Sequence, residues 1–97
     1  MREERFLPEA DAEVMEAVNW YRNQSAGLEF SFTLCIDEAL AKIRRFPEMY
    51  PKVYRHLRRL IVKRFPYAIY FHETENEIVI YAVMHSSRHP RRWKRRA

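Results

Sequence analysis

Histidine and arginine are the residues of this sequence whose types and spacing are best suited to chemistry. Arg88 follows His85 after two residues, and Arg59 and Lys63 lie four positions apart in an earlier segment. A histidine can move a proton near neutral pH, while arginine and lysine can neutralise the charge of a phosphodiester. If the elements that carry them converge, these four residues form a candidate catalytic set for cleaving a nucleic acid.

Basic side chains also suit a second role, which is the docking of an acidic protein partner. They form one cluster that leads into a predicted strand and another in the C-terminal tail. The candidate binding residues in and beside these clusters are Arg58, Arg64, Tyr67, Arg91, Arg92, Trp93 and Arg95. Because strand side chains alternate, Arg59 and Lys63 are expected on one face and Arg58 and Arg64 on the other. The sequence leaves phosphodiester chemistry and protein docking open as equal cases.

No metal or cofactor site is predicted. A single cysteine excludes a cysteine zinc site, and a single glycine leaves no glycine-rich loop for phosphate. His85 and His89 have the spacing of two ligands on a helix, but a proline follows His89 and a third ligand is missing. Cys35 falls on the apolar stripe of a predicted helix and is expected in the core. Tyr67 and Trp93 are expected as core or rim aromatics more than as base-stacking platforms.

Charge is divided unevenly along the chain. Residues 1–38 contain nine acidic and three basic residues (−6), whereas residues 39–97 contain four acidic and fifteen basic residues (+11), which gives the net +5. Clustered charge of one sign repels itself and is relieved by a counter-charge, so an acidic partner or a nucleic acid is indicated. The length predicts one domain over residues 1–97, and the 47% hydrophobic content argues against disorder.

Targeting signals are not recognisable in the sequence. No signal peptide is seen, and no apolar run approaches the ~20 residues that a membrane helix needs. Together with the single cysteine, this predicts a cytoplasmic protein without membrane association.

The periodicity predicts an α+β fold, with an N-terminal helix hairpin packed on a small antiparallel β-sheet. Pro8 suits the first turn of a helix over about 8–24, and Gly27 lies in the turn before a second helix that begins near Leu28. Phe46-Pro47 ends this helix. The predicted strands are a possible edge strand at 2–7, then 53–54, 59–65, 67–71 and a well-buried central strand at 78–84. Residues 86–97 are expected as a loop or a frayed short helix.

Short motifs spread over nearly the whole chain carry a family resemblance. In the helical half they lie at 8–10 (PEA), 19–21 (NWY), 27–28 (GL), Phe32, 46–47 (FP) and 50–51 (YP). In the second half they are RFPYAIY at 64–70 and AVMHSSRHPRRW at 82–93. In order and spacing these motifs resemble those of the RelE/ParE toxin superfamily. The two motifs of the second half, at 64–70 and 82–93, are similar to the "FPY-x-I-x-Y" and "AV-x-H-x-x-R-x-P-x-x-W" segments of its plasmid-stabilisation, ParE-like branch.

The resemblance implies a growth-inhibiting bacterial toxin of a type II toxin–antitoxin module, with the helix hairpin and sheet just described. It also implies a cognate acidic antitoxin, encoded upstream, that wraps the toxin. The toxin would reach operator DNA only through the antitoxin complex.

Two cellular targets follow from the resemblance. ParE-like members inhibit DNA gyrase, and RelE-like members are metal-independent mRNA interferases that cut messenger RNA on the ribosome. We favour the gyrase target, in which case the chain is not an enzyme. If it is a nuclease, His85, Arg88, Arg59 and Lys63 are the catalytic candidates. A third possibility is a non-toxic relative that acts only as a protein-binding module.

Overall fold

A computed structural model describes residues 2–97 and confirms the predicted α+β class. The chain runs through a first strand, two long helices, four further strands and a short last helix. In chain order the elements are β1 (Glu3–Phe6), α1 (Pro8–Gln24), α2 (Leu28–Arg45), a 3₁₀ turn (Pro47–Met49), β2 (Lys52–Tyr54), β3 (Leu57–Ile61), β4 (Tyr67–Glu73), β5 (Glu77–His85) and α3 (Arg91–Lys94). Within the described residues, no helix is long and apolar enough to cross a membrane.

The helix hairpin forms where the sequence predicts it. Pro8 occupies the first turn of α1, and Glu9 and Asp11 place negative charge at the positive end of the helix dipole. Gly27 adopts φ 93° in the turn before α2, a left-handed conformation that glycine adopts without strain. Pro47 follows the end of α2 and cannot continue it.

The sheet is mixed, where a purely antiparallel one was predicted. Its five strands lie in the order β1-β5-β4-β3-β2, and β1 pairs parallel with β5 while the other neighbours are antiparallel. The two helices carry the chain from β1 at one edge of the sheet to β2 at the other, and the antiparallel steps through β3 and β4 then bring β5 back beside β1, parallel to it. β5 is an interior strand as predicted, although β4 is the middle one. The pairing with β1 ends where Leu7 N–H donates to the carbonyl of Ile80 at 2.9 Å, so the rest of β5 lacks a neighbouring strand on that side.

The predicted strand over 59–65 is wrong at both ends, because β3 covers Leu57–Ile61. Pro66 cannot donate a ladder hydrogen bond, and the chain reverses before it, with Val62 N–H donating to the carbonyl of Tyr67 at 2.9 Å. Arg64 adopts φ 72° in this reversal. Lys63 therefore lies outside the strand, and the predicted alternation does not extend to it.

The larger core lies between the helix hairpin and the sheet. Phe32, Ile43, Ile69 and Phe71 are fully buried there, and Cys35 packs against this core as expected. Ring contacts between Tyr21, Phe32, Phe65 and Tyr67 close one end of it, with centroid distances of 4.9–6.2 Å. Such aromatic pairs stabilise a core beyond the area that they bury.

The opposite face of the sheet carries a second, smaller core. Leu57, Ala82 and Met84 are buried in it together with Tyr70 and Trp93. Trp93 of α3 stacks on Tyr70 with a centroid distance of 4.2 Å and an interplanar angle of 19°. The C-terminal tail is thus a short helix, and Trp93 anchors it by covering the second face.

A histidine pair lies on the second face beside this core. The rings of His56 and His72 are 4.3 Å apart, and Tyr81 contacts His56 at 5.6 Å. Among the described residues, the buried Nε2 of His56 has no hydrogen-bond partner. Burial lowers the pKa of His56, and the neighbouring His72, Arg55 and Lys52 lower it further. The folded state therefore favours the neutral imidazole.

The anchoring role of Trp93 predicts a large loss of stability on truncation. Trp93→Ala should lower the free energy of unfolding by about 3–5 kcal/mol, because the buried ring leaves a cavity under α3. Trp20→Ala is the matched control, since Trp20 is 56% exposed, and should change it by about 0.5 kcal/mol or less. Urea unfolding followed by circular dichroism measures both. Equal effects would show that Trp93 does not anchor the tail.

The histidine pair predicts a loss of stability in mild acid. Because the pKa of His56 is lowered from 6.5 in the folded state, the unfolded chain binds more protons below that pH, and the free energy of unfolding decreases as the pH falls. Urea unfolding at about pH 7.5 and about pH 5.5 should show this decrease in the wild type and a smaller one in His56→Gln. An identical decrease in the variant would assign the pH dependence to other groups.

Candidate functional site

A cavity of about 850 Å³ lies between α1 and the C-terminal end of β5. It is lined by the 85–92 segment on one side and by α1 on the other, with Pro66 and Tyr67 beside them. Four of the predicted site residues meet here, namely Tyr67, His85, Arg88 and Arg92. The convergence of cationic and imidazole groups that the sequence suggested occurs at this place for these residues.

His85 and His89 each accept a hydrogen bond at Nδ1 from the backbone N–H two residues further along the chain. Nδ1 of His85 accepts the N–H of Ser87 at 3.1 Å and lies 2.7 Å from the Ser87 hydroxyl. Nδ1 of His89 accepts the N–H of Arg91 at 3.1 Å. An Nδ1 atom that accepts an N–H carries no proton, so each neutral ring has its proton on Nε2. His85 and His89 are therefore hydrogen-bond donors at their free ends.

Tyr67 forms the inner wall of the cavity beside these donors. Its ring contacts His85 edge to face at 5.5 Å. Burial raises the pKa of Tyr67, the Arg88 guanidinium lowers it in part, and the Glu16 carboxylate raises it again. The charges of Arg88 and Glu16, which both line the cavity, thus have opposite effects on the pKa of Tyr67.

One carboxylate covers the unpaired part of the β5 edge. Val83 N–H donates to Oε1 of Glu13 at 3.0 Å, and the Arg96 guanidinium binds both oxygens of Glu13 at 3.0 and 2.8 Å. Arg96 also donates to the carbonyl of Tyr81 at 3.1 Å. Two side chains therefore make the hydrogen bonds that a neighbouring strand would make, and they join α1, β5 and the tail.

The other predicted catalytic residues lie elsewhere. Arg59 lies on the second face, where burial raises the pKa of Tyr70 and the Arg59 guanidinium partly opposes that rise. Lys63 lines a small cavity of about 180 Å³ with Cys35 and Lys42. The four candidates are thus divided among three places. The predicted convergence of the strand cluster with the tail cluster is not seen for Lys63 and Arg59.

Two predicted binding residues have structural positions that leave little surface for a partner. Arg58 is 14% exposed, pairs with Glu73 at 3.0 Å and donates to the carbonyl of Tyr50 at 2.6 Å. Trp93 is only 4% exposed because it covers the second core. Both expectations are corrected, since packing and internal pairing occupy these side chains. The remaining candidates Arg64, Arg91 and Arg95 are exposed.

Sequence reasoning missed the acidic side of the cavity. Glu13, Glu16 and Trp20 line it from α1, and their spacing of three and four residues places them along one side of the helix. That spacing was visible in the sequence. The role of Arg96 had no local signal, because its partner Glu13 lies 83 positions away.

Metal ligands are not grouped in the described part of the chain. No cluster of three or more histidine, cysteine, aspartate or glutamate side chains there could hold an ion. The chemistry that the cavity residues offer is hydrogen bonding, charge and proton transfer.

Comparisons with known proteins agree with this fold. The family model described as "ParE toxin of type II toxin-antitoxin system, parDE" matches residues 5–90, and the chain belongs to this family. A solved structure, "Chromosomal ParDE TA system from P. aeruginosa", superposes with a TM-score of 0.77 at 17% identity, covering 88% of this chain and 96% of that one. No curated protein matches the chain. The protein is a toxin of the ParE family of type II toxin–antitoxin systems, and this context implies an antitoxin partner.

The edge coverage by Glu13 predicts a local change in hydrogen exchange. In Glu13→Ala the Val83 amide loses its acceptor and Arg96 loses its partner, so exchange at Val83 should speed up roughly tenfold or more relative to β4 amides. Glu16→Ala removes a carboxylate one turn further along α1 and should leave the Val83 amide protected. Residue-resolved exchange by NMR measures both. Unchanged protection in Glu13→Ala would show that the edge is covered in another way.

Proposed function

We propose that this toxin inhibits growth by binding DNA gyrase and that an acidic antitoxin neutralises it. The observation that carries the choice of target is the separation of the four candidate catalytic residues. Arg59 lies beside Tyr70 on the second face and Lys63 lines a different cavity, so neither accompanies His85 and Arg88. Membership in the ParE family supports the same target.

Metal-independent RNA cleavage requires its catalytic side chains to meet in one site, which these four candidates do not do. A general base and a general acid must lie about 3 Å from the attacking and leaving oxygens, with cations on the phosphate. Nδ1 of His85 accepts a hydrogen bond from the Ser87 N–H, so this ring offers no free basic nitrogen to a substrate hydroxyl. A toxin that acts through a protein surface has no such requirement, because binding draws on charge and shape over a wider area.

The antitoxin proposal rests on the unpaired charge and apolar surface that the fold exposes. Arg64, Arg91 and Arg95 are exposed at the sheet end and on α3. Phe30 and Leu34 are 68% and 62% exposed on α2. A disordered acidic segment that wraps the toxin can gain charge-assisted hydrogen bonds from the arginines and apolar contacts on α2, and these offset the entropy that it loses on folding.

Ribosome-dependent messenger cleavage is a second candidate because one observation favours it. His85, Arg88, Arg92 and Tyr67 do share a cavity, and each can donate a proton or a hydrogen bond. If the toxin is a nuclease, the site uses these residues, and Arg59 and Lys63 bind elsewhere on the substrate. A non-toxic relative that only binds its partner is the third candidate, since a fold can persist without its activity.

One set of assays separates these functions. Induced expression in a bacterial host should arrest growth, and the purified toxin should inhibit supercoiling by gyrase without ribosome-dependent messenger cleavage. Co-expression of the antitoxin, which is expected as a small acidic protein encoded directly upstream, should restore growth. His85→Ala/Arg88→Ala, checked for folding by circular dichroism, should leave the messenger pool as intact as the wild type does.

Three results would contradict the proposal. Unaffected supercoiling at high toxin concentration would remove gyrase as the target. Messenger cleavage by the wild type that disappears in His85→Ala/Arg88→Ala would establish the nuclease. Normal growth together with tight antitoxin binding would establish the non-toxic module.

A further inference from the structure

Four side chains on one side of the larger cavity form a surface made only of hydrogen-bond donors, here called the donor wall. It consists of His85, Arg88, His89 and Arg92. The histidines contribute Nε2–H because their Nδ1 atoms accept backbone N–H groups two residues further on. The guanidiniums donate in any case, since arginine stays charged. The donor wall therefore presents no acceptor to a ligand.

The arginines of the donor wall lack the carboxylate partners that hold Arg58 and Arg96. Arg58 and Arg96 are held by carboxylates at 3.0 and 2.8 Å. Among residues 2–97, no carboxylate lies within ion-pair distance of Arg88 or Arg92. Of the two carboxylates that line the cavity, Glu13 is bound by Arg96, and Glu16 is exposed on α1. The positive charge of the wall is therefore available to an anion.

An aromatic surface accompanies the donor wall. Trp20 is 56% exposed and lines the cavity, with the Tyr21 ring edge to face at 5.0 Å. A planar base can stack on such a ring, and this contact is worth about 1–3 kcal/mol in proteins that bind single strands. Glu16, on the same helix, offers an acceptor for an amino or hydroxyl group. The cavity volume of about 850 Å³ is that of small-ligand sites.

We infer that this cavity binds a nucleotide, with its phosphate on the donor wall and its base against Trp20. A phosphate monoester presents three terminal oxygens and accepts from several directions, which suits four donor groups. A peptide carboxylate accepts in one plane and does not require an aromatic surface beside it. Glu16 then meets the sugar or base, and not the phosphate. The test of nucleotide binding uses the purified toxin alone, so its outcome does not depend on whether gyrase is the target.

Calorimetric titration of the purified full-length toxin tests this site. Adenosine monophosphate should bind. Adenosine, which lacks the phosphate, should have an affinity lower by roughly tenfold or more. Long-range imidazole NMR should show Nε2–H in both histidines of the free protein and a shift of both on adding the nucleotide. An RNA oligonucleotide with a 5′-phosphate, compared with the same RNA lacking it, distinguishes a strand end from a free nucleotide as the source of the phosphate.

Charge-matched variants separate the donor wall from bulk electrostatics. Arg88→Gln/Arg92→Gln should weaken binding of adenosine monophosphate roughly tenfold or more. Arg44→Gln/Arg45→Gln removes the same charge from the exposed end of α2 and should change it less than about threefold. Trp20→Ala, which alters a side chain that is 56% exposed, should reduce the affinity to that of inorganic phosphate, titrated in parallel.

Several outcomes would overturn the nucleotide site. Equal weakening by the two arginine pairs would mean unspecific attraction of anions. Equal binding of adenosine and its monophosphate would mean that the phosphate is not recognised. Binding of an acidic peptide that depends on Arg88 and Arg92, without any binding of nucleotide or 5′-phosphorylated RNA, would assign the donor wall to a protein partner.

Discussion

The fold depends on covering β5 on both faces and along one edge. Ile78, Ile80 and Val83 need the helix hairpin on one face, while Ala82 and Met84 need α3 on the other. The edge is paired by β1 as far as Ile80 and by side chains beyond it. Each covering element comes from a different part of the chain, so the N-terminal strand, the hairpin and the tail are all required around one strand. His85 ends this strand, and its position is therefore set by the whole fold.

Only a small part of the charge asymmetry along the sequence is neutralised within the fold. Six ion pairs are found among residues 2–97, and two of them, Arg44–Glu4 and Arg96–Glu13, join an acid of residues 1–38 to a base of residues 39–97. Arg2–Glu48 and Arg5–Glu77 instead pair the minority charge of each part. Pairs on exposed side chains add little stability, but they consume the charge that a partner would otherwise meet. The densest run of basic residues without an ion pair lies at 88–95, after β5 and on α3. A balance summed over the sequence does not show this, because Arg44, Arg58 and Arg96 count equally in it although carboxylates hold them.

Local patterns predicted the fold well and the site only in part. The helices follow from apolar spacing with Pro8, Gly27 and Pro47, because these signals act within a few residues. The parallel pairing of β1 and the true bounds of β3 depend on which strands meet, and spacing along the chain carries no such information. The same limit applies to Arg58, which reads as a surface cation until Glu73 and the carbonyl of Tyr50 are placed beside it. Sequence patterns could name His85 and Arg88 but not the helix side chains opposite them.

The position of the cavity links the proposed partners to one another. Its donors belong to the segment between β5 and α3, and its acidic and aromatic side chains belong to α1, which also holds the tail through Glu13 and Arg96. An acidic segment that reached from Arg91 and Arg95 onto Arg92 would exclude an anion from the donor wall, because a hydrogen-bond donor can be satisfied by one ligand at a time. Each would then weaken the other by the same factor, since linkage is reciprocal. The fold thus brings together the cavity and the edge of β5, because Glu13 of α1 lines the first and accepts the Val83 N–H of the second.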